Sequence, residues 1–119
     1  MDKVVKSIVA LGVPGFILLY VISTSGLAGA AAVTAALSTF GGPFGMLGGI
    51  GAIGIGVLIS KGIAEYGFDA IAIRVMEEFY SKGKTKKDIL DKIDSYPISK
   101  DLKRKLKEKL NEISATNKK

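Results

Sequence analysis

"GGIGAIGIGV", residues 48–57, contains the pattern G-x-G-x-x-G at Gly49, Gly51 and Gly54. The fold turns on whether these glycines cradle a phosphate or let one helix lie flush against another. A dinucleotide-binding loop needs a strand before the glycines, a helix after them and an acidic residue about 20 positions on. Asp69 stands at that distance from Gly49, but the preceding "GGPFGML", residues 41–47, has no strand character and carries no charge. No strand–helix–strand unit can be completed around it. The packing reading explains more. Gly41, Gly45 and Gly49 are spaced by four, as are Gly48, Ala52, Gly56 and Ser60, which gives small-residue rows on neighbouring faces of one helix. Glycine inside a helix costs ~1 kcal/mol against alanine in water, so so many glycines are unfavourable unless neighbours exploit them. A flexible linker is the bland alternative, and the interleaved Ile and Val argue against it.

The surroundings decide the solvent. Between Lys6 and Lys61 there is no Asp, Glu, Lys, Arg or His. A water-soluble domain of this size needs a charged face on each surface helix, so residues 1–60 read as a membrane-embedded block. In lipid, helices associate through close backbone approach, which small residues permit. Ala28, Ala32 and Ala36, with Gly26, Ala30, Thr34 and Ser38, extend the same spacing upstream. This texture resembles that of pore-forming bacterial peptides and of circular bacteriocins with a lysine-rich terminal helix. The likeness lies in composition and spacing alone, and it transfers no residue roles.

Along the chain, Val4–Ile22 reads as a first membrane helix with a kink or a local break at Pro14-Gly15. It could also pass for a secretory signal, with a cleavage pattern at Ala28-Gly29-Ala30; a second apolar segment would keep the product in the membrane regardless. Leu27–Phe40 is an Ala-rich helix of about 21 Å, too short to cross a ~30 Å hydrocarbon core alone. Phe44–Ser60 is a third helix, just long enough to span. Residues 61–82 read as one juxtamembrane helix with a weak amphipathic moment, its polar stripe changing sides near Arg74. Residues 83–119 read as a soluble basic hairpin and tail. Thr85 is an N-cap with Asp88 at N3, Ile89, Ile93 and Tyr96 recur at helical spacing, Pro97 stops the helix, and Ser99 caps the next one. Leu102, Leu106, Leu110 and Ile113 line that second helix, and residues 114–119 read as a frayed end. The expected class is thus an all-α small integral membrane protein, a helical hairpin or three-helix block followed by a cytosolic amphipathic helix-turn-helix.

Charge is segregated along the chain. The formal net charge is +6, and residues 82–119 alone sum to +7, while residues 61–81 sum to −2 and residues 1–60 carry only Asp2, Lys3 and Lys6. Lys103, Arg104, Lys105, Lys107 and Lys109 form a basic face suited to anionic lipid or to a protein partner. Nucleic acid is disfavoured because no aromatic stacking platform accompanies the lysines. By the positive-inside rule both termini are cytoplasmic, which requires an even number of crossings. Glu65 and Asp69, four apart, would share a helix face just beyond the membrane and could ring a pore mouth; alternatively they are the first solvated turns. No Cys or His occurs, which removes thiol and imidazole chemistry, and no nucleophile or ligand set accompanies the paired carboxylates. No enzyme activity, metal or cofactor is expected. Two functions remain: a self-associating membrane effector that forms a pore or perturbs the bilayer, and a membrane-anchored immunity, regulatory or assembly protein that binds a larger membrane partner.

Overall fold

The first apolar stretch does not run as one helix. In the computed structural model, which describes residues 1–25, 50–96 and 98–117, α1 (Asp2–Leu11) stops at Gly12 and α2 (Val13–Ser25) starts directly after it. Gly12 has φ 75° and ψ −151°, a conformation that disfavours any side chain. Pro14 falls in the first turn of α2, where its missing N–H leaves no helical bond unmade. A Cβ on Gly15 would stand 2.2 Å from the Ile8 carbonyl oxygen, so the end of α1 and the start of α2 meet where only glycine fits. The expected Val4–Ile22 helix is therefore two pieces of ten and thirteen residues, and the kink or local break expected at Pro14-Gly15 is a full break two residues earlier, at Gly12.

Helix α2 is apolar around its circumference: Val13, Phe16, Ile17, Leu18, Leu19, Val21 and Ile22 are all buried. A helix of that kind must be surrounded. Four other helices pack on it: α1, α3 (Ile50–Tyr66), α4 (Phe68–Ser81) and α5 (Lys86–Ser95). Helix α3 runs past the expected end at Ser60 and through Lys61, and it stops only at Gly67, where φ is 87°. The juxtamembrane helix expected over 61–82 is thus divided, and the division explains its weak sequence moment. Once the phase is reset at Gly67, α4 buries Ile71, Ala72, Val75, Met76 and Phe79 on one regular stripe.

The C-terminal elements form as their caps dictate. Thr85 Oγ1 accepts from the Asp88 N–H at 3.1 Å while Asp88 accepts from the Thr85 N–H at 2.9 Å, which starts α5. Tyr96, preceding Pro97 in sequence, is extended at φ −85° and ψ 147° and ends it. Ser99 Oγ takes the Leu102 N–H at 3.1 Å at the start of α6 (Lys100–Asn117). Ile89, Ile93, Leu106, Leu110 and Ile113 are buried, as their spacing requires. They do not merely cover each other: α5 also packs on α2 and α6 on α4, and all of these residues belong to one buried cluster with α1–α4.

The described residues are thus all-helical. Among them, no helix is long and apolar enough to cross a membrane. At 1.5 Å per residue α2 reaches about 20 Å against a ~30 Å hydrocarbon core, and α3 carries Lys61 and Glu65 in its last turns. The helix expected at Leu27–Phe40, the upstream small-residue spacings from Gly26 to Ser38, and Gly41, Gly45, Gly48 and Gly49 lie outside the described residues.

Candidate functional site

Of the small-residue rows, Ala52, Gly56 and Ser60 fall in α3. Gly56 is buried, and the buried Ser60 hydroxyl has no hydrogen-bond partner among the described residues. Gly54, from the G-x-G-x-x-G pattern, is exposed, with nothing within 4 Å of where its Cβ would be. Besides Gly15, a close helix approach among the described residues lies at Gly62, whose Cβ would stand 3.2 Å from Ile71 Cδ1 and 3.3 Å from Val4 Cγ2. There α3 meets α4 and α1. The sequence reading passed over Gly62 because it follows Lys61; its smallness was the signal.

Glu65 and Asp69 do not share a helix face. Gly67 separates them, with Glu65 exposed near the end of α3 and Asp69 in the first turn of α4. There Asp69 complements the helix N-terminus and holds Lys109 Nζ at 3.3 Å. The Lys109 ammonium also stands 5.3 Å over the Phe68 ring. Phe68 in turn packs on Phe16 and Tyr20 of α2, with ring centroids 6.4 and 6.0 Å away. Lys109 therefore fastens α6 to α4 at the point where α4 touches α2.

A second fastening joins α1 to α3 and α4. The Met1 amine donates to the Tyr66 hydroxyl at 3.1 Å, and Arg74 pairs with Asp2 at 2.7 Å. Hydrogen bonding and charge from Arg74 hold the Asp2 carboxyl below its ordinary range. Glu65 has the opposite effect on its neighbour, its charge pushing the Tyr66 hydroxyl up.

The basic face expected on α6 is engaged within the chain. Lys103 donates to the Asp94 carbonyl at 2.7 Å, where it satisfies an end of α5. Lys107 pairs with the Asp94 carboxylate at 2.5 Å. Arg104 bridges Asp101 and Glu108, and Lys105 joins Asp101 at 3.1 Å. With Lys109, all five predicted cations have partners. Lys82, Lys84 and Lys86, around the α4–α5 turn, have no ion-pair partner among the described residues. The sequence reading counted them with the tail and did not single them out. The density of lysine in "KGKTKK", residues 82–87, was the available signal.

No cluster of three or more acidic, His or Cys side chains that could hold a metal ion occurs among the described residues. No family model, curated protein or solved structure matches this chain.

Proposed function

We propose that the protein acts at a lipid bilayer, as a small self-associating helical protein that perturbs or perforates it. The observation that supports this is α2 together with the sequence around it: a helix apolar on every side, set within a stretch from Ser7 to Ser60 that carries no Asp, Glu, Lys, Arg or His. Acyl chains are as apolar as leucine, so lipid can replace the helices now packed around α2 at little cost in free energy. Of the helices released in this way, α1, α4 and α5 are amphipathic, and they can lie in the headgroup boundary with their buried stripes downward. Small residues along the uncharged stretch provide the self-association surface, and the termini remain on the cytoplasmic side.

The test is flotation with liposomes, scored together with release of an entrapped dye and with the oligomer distribution in native lipid. Binding with leakage and self-association is the expected outcome. Binding without leakage, by a monomer that co-purifies with one membrane protein, would favour the anchored partner-binding role. A monodisperse protein in plain buffer that ignores vesicles of every composition would overturn both. Within the first role, Gly48→Leu with Gly56→Leu should abolish self-association while leaving insertion intact.

A further inference from the structure

We propose that the turn joining α4 to α5 is the contact with anionic lipid headgroups, which rests on the bilayer action above and moves the contact away from the α6 face. Lys82, Lys84, Lys86 and Lys87 fall within this turn and the first residues of α5. The first three have no ion-pair partner among the described residues, and Lys87 meets only Asp91, at 3.7 Å on the open surface.

None of the acidic groups nearby pairs with these three lysines among the described residues. Asp88 is held by Thr85 in the capping box. Glu77 and Glu78 lie exposed on α4, and neither forms an ion pair with Lys82, Lys84 or Lys86. The tip is therefore a concentration of unneutralised positive charge, whereas each cation from Lys103 to Lys109 on α6 already faces an acid or a carbonyl. Reaching a headgroup would cost the α6 cations those contacts; Lys82, Lys84 and Lys86 have no ion pair to give up, and Lys87 has only the long one to Asp91.

Shape agrees with charge. Residues 80–85 are all exposed, and Gly83, at φ 91°, has nothing within 4 Å of where its Cβ would stand, so the turn is open to solvent. Tyr80, just before it, is one of two large apolar side chains left exposed among the described residues. A phenol ring beside lysines suits the headgroup layer, where the ring meets the acyl boundary and the hydroxyl stays wet. The attraction acts within a Debye length, so exposed and unpaired cations gain most from it.

The experiment measures partition of the full chain onto phosphatidylcholine vesicles made with and without phosphatidylglycerol. Lys82→Gln/Lys84→Gln/Lys86→Gln is compared with Lys103→Gln/Lys105→Gln/Lys107→Gln, with circular dichroism confirming that both retain the helical fold. The turn variant should lose on the order of 100-fold in partition onto the anionic vesicles, about fivefold per lysine. The α6 variant should lose less than about threefold, since its cations are already paired. Equal losses, or a larger loss in the α6 variant, overturn the proposal. Wild-type binding that is the same with and without phosphatidylglycerol overturns it while leaving the bilayer action standing. Absence of binding to either vesicle overturns the bilayer action itself. Tighter binding of the wild type to a DNA duplex than to the anionic vesicles overturns the choice of lipid.

Discussion

Two glycines of this chain have opposite reasons to be glycine. Gly15 sits under the Ile8 carbonyl, so Gly15→Ala forces α1 and α2 apart and should destabilise the fold by about 2–3 kcal/mol. Gly54 is helical and open to solvent, so Gly54→Ala should stabilise by about 0.5–1 kcal/mol through the unfolded chain. Urea midpoints read both, and like signs would contradict the close approach at Gly15. The pH response belongs at the same scale. Asp2, Asp88 and Asp101 all titrate below the ordinary value of 3.8, Asp2 through Arg74, Asp88 through Thr85, and Asp101 through Lys105 and Arg104. A carboxylate with a depressed folded-state pKa adds stability that is present above its unfolded value and lost as pH falls through the folded one. The thermal midpoint should therefore drop as pH is lowered past 3.8, and Asp2→Asn should show a shallower drop. Identical slopes would mean that the Asp2–Arg74 pair does not act in solution.

Among the elements, α5 depends most on its start. It is ten residues long, too short to persist by propensity, and the reciprocal Thr85–Asp88 bonds satisfy donors that would otherwise be orphaned. Thr85→Ala should cost about 1 kcal/mol, and hydrogen exchange should quicken first at the α5 amides. Uniform quickening over all helices would place the cap's effect elsewhere. Both caps of the C-terminal hairpin were legible before the structure, because a capping box is a local arrangement and the residues that make it are neighbours in sequence. The breaks at Gly12 and Gly67 were not. Glycine is tolerated within helices as well as beyond their ends, so its spacing alone does not say which glycine takes a positive φ. The missed break at Gly67 also blurred the α4 stripe and set Glu65 and Asp69 on one imagined face.

At the scale of the molecule, residues of all six described helices share one buried cluster, from Val4 of α1 to Ile113 of α6. Leu19→Ala in α2 and Leu110→Ala in α6 should each remove about 2–5 kcal/mol. Because they lie in the same core, either one should shift far-UV dichroism and tyrosine fluorescence together. Separate transitions, with Leu110→Ala affecting only one, would show that the C-terminal hairpin unfolds independently. The pairing of the α6 cations is also a property of the whole. Asp69 and Asp94 reach Lys109 and Lys107 from other helices, so a face that looks uniformly basic along the sequence is largely neutralised in space.

Read alone, the sequence determined the helical class, the caps of the last two helices, their apolar stripes and the segregation of charge toward the C-terminus. These are legible because helical periodicity, capping and composition depend on residues a few positions apart. Tertiary structure decided where the apolar stretch breaks, which glycine carries the close helix crossing and which lysines are left unpaired. Each of these depends on atoms brought together from distant parts of the chain, such as Val4 and Ile71 at Gly62 or Asp94 at Lys107. No spacing within a single helix encodes such meetings.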